Sequence, residues 1–343
     1  IHYIIFFLAL SFSKAIAEPT LVRTKAVEAI TGYHADGLTF NNDGTKMYTS
    51  AYSPSATGDR IYEYDLTTAY NISTATLRTS IAVGSYTYNL STSSTVLHGA
   101  RQIVFNNDGT KMFISDWHKT IIEFTLTTPY EIDTASTTFP TGQNYSTNSQ
   151  NKRPTSVAFN NDGTKMFITG NHHHNTNNPQ SIHEYTLDNP FVITSGVTYV
   201  GEIQPDPQPE YVDGIVFNYD GTKMYITDSV GDEIRQFELT TPFTISTHSL
   251  QGTLDTSTYG IVGGRETAFS SDGSKMFVID EAEVVFEFNL SCNWSIIDGD
   301  CDDPITTSDE GKDILSSIES QTATAKQIAI QASTPVLNRM YWL

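Results

Sequence analysis

Four residues ahead of each copy of a phenylalanine that opens a repeated phrase, the chain carries Asp36, Arg101, Thr155, Asp213 and Arg265. His34, Arg153, Tyr211 and Glu266 stand one or two residues from them. Charged groups that recur at one register position are groups that a folded repeat brings to a common centre. A mixed set of carboxylates and guanidinium groups there binds a polar ligand, such as a sugar or a carboxylate, through charge-assisted hydrogen bonds. The same groups also serve as mutually compensating salt bridges around a watery centre. Hydrolysis asks for more: a metal-binding Glu/Asn/Asp set, or two carboxylates at a fixed separation. Asp36, Asp213 and Glu266 are the acids placed to try, and Arg101 and Thr155 occupy the positions that would face them. The candidate ligand-binding residues are therefore Asp36, Arg101, Arg153, Asp213, Arg265 and Glu266, with no catalytic residue assigned.

The elements that position these groups come from three motifs. The phrase Phe-Asn-Asn-Asp-Gly-Thr-Lys-Met-aromatic occurs, with small variations, at 40–48, 105–113, 159–167, 217–225 and 269–277. Its aspartates at 43, 108, 162, 220 and 272 are spaced by 65, 54, 58 and 52 residues. About twenty residues after each Phe comes Ile/Val-x-Glu/Gln-aromatic-x-Leu, at 61–66, 121–126, 182–187, 234–239 and 285–290. Thr-Thr-Pro-aromatic-x-Ile follows at 127–132 and 240–245, with degenerate forms at 67–72, 188–193 and 291–296, where Trp294 takes the aromatic position. Strand patterning repeated at this period, without helical patterning, predicts an all-β propeller with one blade per copy.

Segments 76–83, 197–203 and 250–254 read as outer strands, and the fifth copy lacks one. Residues 20–27, ahead of the first copy, resemble 76–83. The sequence thus predicts a five-bladed β-propeller over 18–298, closed by an N-terminal strand that removes the open sheet edge. The small or β-branched residues before each Phe (Thr39, Val104, Ala158, Val216 and Ala268) suit strands crowded near the axis. Asn-Asp-Gly is hairpin chemistry, and one Asp per turn makes no calcium site. Met47, Met112, Met166, Met224 and Met276 fall on one face of the next strand and read as core.

Cys292 and Cys301 are the only cysteines and are expected to form a disulfide. Asp298, Asp300, Asp302 and Asp303 share their loop; a solvated acidic turn is the expectation and calcium the alternative, with no other cofactor implied. The run His172-His173-His174 lies in a long polar loop and reads as surface histidines. Residues 1–17 read as a secretory signal peptide, with the apolar run 4–10 too short to span a bilayer and a small-x-small site at Ala15–Ala17. Five Asn-x-Ser triplets begin at Asn71, Asn89, Asn144, Asn289 and Asn293. Residues 299–343 read as a linker and a C-terminal amphipathic helix at 308–332. The chain is expected to continue at both ends. A net charge of −20 argues against nucleic acid and anionic membrane surfaces as partners.

The phrase Phe-Asn-x-Asp-Gly-Thr-Lys-Met, followed by a strand, resembles the β-propeller repeats of bacterial secreted and surface proteins, a class that includes YVTN and lactonase-like propellers and WD40-like repeats. The resemblance covers residues 20–298 and implies the fold rather than an activity. Signal peptide, propeller and helical tail together resemble the passenger of an autotransporter-type outer-membrane protein. That implies a secreted or cell-surface monomer with a membrane link only through a C-terminal barrel absent from this sequence. The expected function is adhesion or recognition of a surface glycan or protein ligand, with a lactonase-like or glycosidase-like hydrolase as the alternative.

Overall fold

Each Asn-Asp-Gly turn is closed by its own aspartate. Asp43 Oδ1 accepts from the Thr45 hydroxyl (2.6 Å) and backbone N–H (2.9 Å). The pair recurs at Asp108, Asp162 and Asp220 with the following threonine, and at Asp272 with Ser274. Bonds to the ionised carboxylate hold Asp43, Asp108 and Asp162 below the usual carboxylate range. The repeated acid is thus a turn former, as its spacing implies.

The computed structural model describes residues 18–28, 34–53, 58–84, 87–90, 93–96, 99–136, 143–149, 153–170 and 180–297. Strand β1 (Thr20–Ala26) precedes blade 1, which holds β2 (Ala35–Phe40), β3 (Lys46–Ala51), β4 (Arg60–Leu66) and β5 (Ala75–Ala82). A hairpin of β6 (Thr87–Leu90) and β7 (Ser93–Val96) leads to blade 2: β8 (Ala100–Phe105), β9 (Lys111–Asp116), β10 (Thr120–Thr125) and the short β11 (Asn144–Ser146). Blade 3 comprises β12 (Pro154–Phe159), β13 (Lys165–Gly170), β14 (Ser181–Leu187) and β15 (Val197–Ile203). Blade 4 comprises β16 (Val212–Phe217), β17 (Lys223–Asp228), β18 (Glu233–Leu239) and β19 (His248–Asp255). Blade 5 has β20 (Gly264–Phe269), β21 (Lys275–Asp280) and β22 (Val284–Asn289), and its fourth strand is β1, antiparallel to β22. The innermost strands neighbour one another in the order β2, β8, β12, β16, β20 and back to β2. The protein is a five-bladed propeller, closed by its N-terminal strand.

Blades are joined by the motifs themselves. Each repeated Phe packs on the aromatic of the preceding blade's second strand: Phe105 on Tyr48, Phe159 on Phe113, Phe217 on Phe167, Phe269 on Tyr225 and Phe40 on Phe277, with ring centroids 4.5–4.7 Å apart. Its other neighbour is the aromatic of the Thr-Thr-Pro-type loop, Tyr70, Tyr130, Phe191, Phe243 or Trp294. Those loop aromatics have φ of 51–62°, an unusual state for bulky residues, and each donates its backbone N–H at 2.9 Å to a turn glycine carbonyl. The second motif's acid locks the same loop: Glu63, Glu184 and Glu287 are buried, pair with Lys46, Lys165 and Lys275 at 2.6–2.8 Å, and accept from the N–H of Ile132, Ile245 and Ile72 in the following blade. In blade 4, Gln236 accepts from Ile296 in the same way.

The expected signal peptide (1–17) and C-terminal helix (308–332), the His172–His174 run, the acidic loop at 298–303 and Cys301 all lie outside the described residues. Of the expected Cys292–Cys301 bridge, only Cys292 lies within them. Among the described residues, no helix is long and apolar enough to cross a membrane.

Candidate functional site

The innermost strands break register near their starts. The shift falls between Ala35 and Leu38, Ala100 and Ile103, Pro154 and Val157, Val212 and Gly214, and Gly264 and Glu266. Such a bulge re-aims side chains and frees backbone groups. The N–H of Gly37, Gln102 and Ser156 turns to a hydroxyl of the next strand, on Ser50, Ser115 and Thr169. Each hydroxyl in turn donates to a carbonyl of the following blade, on Arg101, Thr155 and Asp213. These carbonyls belong to the residues four before each Phe, so the bulge and its hydroxyls fix the backbone of the charged mouth.

There the structure brings four of the candidate residues into one chain of charges. Asp36 Oδ1 accepts from Arg101 Nη1 at 2.5 Å and lies 3.9 Å from Arg265 Nε. Arg265 also pairs with Asp213 (3.4 Å) and Glu281 (2.8 Å). Both aspartates are 5% exposed. The Arg101 guanidinium lies 4.2 Å from the centroid of Trp117 and 5.0 Å from that of Tyr52, and Arg153 stacks on the same Trp117 at 5.0 Å. The alternation of charge runs through blades 2, 1, 5 and 4 and stops at blade 3, where the Thr155 hydroxyl is turned to the Val212 carbonyl (2.8 Å). Burial raises Asp213 to about 6, against the opposing pull of Arg265. Among the described residues, Asp36 Oδ2, Asp213 Oδ2, Arg101 Nε and Arg265 Nε have no hydrogen-bond partner.

Glu266 sits one layer further in. Its Oε2 accepts from Ser156 Oγ (3.0 Å) and its Oε1 from the Thr267 N–H (3.2 Å). Gly214 makes room for it, since a Cβ there would stand 2.6 Å from Oε1. Burial raises Glu266 well above its ordinary 4.5, opposed by the Ser156 and Thr267 hydrogen bonds and reinforced by Asp213. Gln102, at the same register position in blade 2, accepts from its own neighbour's N–H in the same way (2.8 Å). A raised carboxyl takes up a proton on folding, so its contribution is complete below pH 4.5 and is lost as pH rises toward the folded pKa. Glu266→Gln is expected to gain on the parent by up to about 1.4 kcal/mol per pH unit across that window. Urea unfolding of both proteins at pH 5 and pH 8 measures it; a difference that does not grow with pH would show Glu266 to be charged.

Sequence register predicted Asp36, Arg101, Asp213 and Arg265 as a group, and they are one. It placed Glu266 at the same mouth, whereas the bulge turns it inward and engages both its oxygens. It missed Tyr52, Trp117 and Glu281, all twelve residues after a repeated Phe and so findable by the same register. It also passed over the opposite mouth of the channel, a cavity of about 650 Å³ lined by the repeated Phe and Asn residues and the loop aromatics. Among the described residues, no cluster of three or more His, Cys, Asp and Glu is placed to hold a metal ion.

No family model matches the chain, and no curated protein matches it. Among solved structures, it is similar to a Bacteroides fragilis protein described as a 6-phosphogluconolactonase. Identity is 13%, the match covers 78% of this chain and 83% of that one, and the TM-score is 0.42.

Proposed function

We propose that the propeller is a secreted or surface-displayed binding module that recognises a polar ligand, a carbohydrate or a protein group, at the charged mouth. The observation that carries this function is the chain Arg101–Asp36–Arg265–Asp213, its aspartates buried and its arginines half-buried, in which two carboxylate oxygens and two guanidinium N–H groups have no hydrogen-bond partner among the described residues. Buried donors and acceptors without partners are costly, and a ligand that supplies both kinds of group relieves the cost. Trp117 and Tyr52 add flat faces beside the guanidinium groups. Hydrolysis is the weaker alternative, because Glu266, the buried acid with a raised pKa, has both oxygens engaged by the protein.

Screening acidic and neutral oligosaccharides and carboxylate-bearing peptides by calorimetry tests the proposal, with Arg101→Met and Arg265→Met as variants. Each variant is expected to weaken the ligand by about tenfold or more while retaining a folded-state CD spectrum. Asp213 loses its charge as pH falls through about 6, which removes one of the three acids that neutralise Arg265. An anionic ligand should therefore bind more tightly at pH 5 than at pH 7. Unchanged affinity in both folded variants would remove the charged mouth as the site, and turnover of a lactone or glycoside would move the assignment to a hydrolase.

A further inference from the structure

The opposite mouth differs from the charged one in having no charged side chain in its lining. None of the side chains lining its cavity of about 650 Å³ is ionisable as an acid, lysine, arginine or histidine, although the chain as a whole carries −20. The volume falls within the range of small-ligand sites. Its sleeve is mostly apolar, formed by Val104, Ala158, Val216 and Ala268 with Thr39, and Gln102 lines it as well. Its rim is a belt of amides: Asn42 Nδ2 donates to the Asn107 carbonyl (2.7 Å), Asn107 to that of Asn161 (2.5 Å), and Asn161 to that of Tyr219. These bonds use the amide nitrogens, and the side-chain oxygens of the three asparagines accept no hydrogen bond from the described residues.

The belt is asymmetric, and a propeller built from five copies of one motif gives no packing reason for that. Blade 4 has Tyr219 where blades 1 to 3 have asparagine, blade 5 has Ser271, and the loop aromatic of blade 5 is Trp294 rather than Tyr or Phe. Tyr219 is 72% exposed, beside the point where the amide belt stops. Three departures thus fall together at one mouth: Tyr219 stands at the end of the amide belt, and Trp294 lines the cavity from the neighbouring blade.

We propose that this mouth is a second binding site, specific for an uncharged sugar residue. With no cationic side chain in the lining, a carboxylate or phosphate has no partner, and the turn aspartates one residue beyond each rim position are engaged by their own threonine or serine. A pyranose matches what is present: hydroxyls for the amides, and a face of weakly positive C–H bonds for the negative face of an aromatic ring. The site lies at the other end of the channel from Arg101 and Arg265, so the two proposals fail separately.

Saturation-transfer NMR and calorimetry with tetrasaccharides of glucose, mannose, galactose and N-acetylglucosamine, alongside oligouronates and neutral peptides, form the test. Tyr219→Asn and Trp294→Phe install residues that other blades already carry, so folding is preserved. At least one neutral tetrasaccharide is expected to bind, each variant to weaken it about tenfold, equivalent to about 1.4 kcal/mol, and Arg265→Met to leave it unchanged. The proposal is overturned if no neutral saccharide binds, if only oligouronates or peptides bind, or if both rim variants keep parental affinity.

Discussion

Removing residues 18–26 is expected to lower the melting temperature by roughly 10 °C and to broaden the transition. Strand β1 pairs with β22 from Thr20↔Asn289 to Ala26↔Val284, and without it blade 5 has three strands. At about 0.5–1.5 kcal/mol net per backbone hydrogen bond, losing this ladder costs on the order of 4 kcal/mol. In a domain this large, each kcal/mol moves the midpoint by about 2–4 °C. Closure is lost as well: Arg23 pairs with Glu287 of blade 5 (3.4 Å) and donates to Asn71 and Ser73 of blade 1. The bared edge carries Val285, Phe286 and Phe288, an invitation to pair with another chain. A synthetic peptide of residues 18–28 should refill the gap by strand addition and restore the midpoint. A truncated protein with the parental midpoint, indifferent to the peptide, would show that β1 is dispensable for closure.

That closure was legible from sequence because it depends on local pattern: residues 20–27 look like an outer strand and stand where the fifth copy lacks one. Strand alternation and turn chemistry are short-range, so the blades could be read before any packing was known. Outer strands 76–83 and 197–203 were placed within a residue of β5 and β15, and 250–254 lies inside β19. What could not be read is how the motifs meet across blades. The pairing of Lys46 with Glu63, and of Glu63 with the Ile132 N–H, joins three segments whose spacing in sequence says nothing of their contact. The inward turn of Glu266 follows from the bulge after Gly264, an irregularity that period-two alternation does not encode. The neutral mouth was hidden for another reason. Asn42, Asn107 and Asn161 sit within the turn motif, where residue type is already explained by the hairpin, and their belt of hydrogen bonds becomes visible only once the five turns stand in a ring.

The turn glycines yield the sharpest test of that interlock. Gly109→Ala is expected to destabilise by about 2–4 kcal/mol, combining a positive-φ penalty with overpacking. Gly109 has φ of 70°, and a Cβ built on it would fall inside van der Waals contact of the Tyr130 ring. Tyr130 cannot retreat freely, since its ring packs on Phe105 (5.4 Å), its hydroxyl donates to the Asn107 carbonyl (2.9 Å) and its own carbonyl receives the Tyr48 hydroxyl (2.7 Å). Gly260 is the natural control: its φ is 78°, but a Cβ there meets nothing within 4 Å. Gly260→Ala should therefore pay only the backbone term, about 1–2 kcal/mol. If the collision matters, Gly109→Ala combined with Tyr130→Ala will cost less than the two changes summed, because the ring that suffers the clash is gone. Urea unfolding of the four variants and the parent measures this. Equal losses for Gly109→Ala and Gly260→Ala, with additive behaviour of the pair, would mean that the loop aromatic does not press on the turn, and that each glycine serves its own backbone alone.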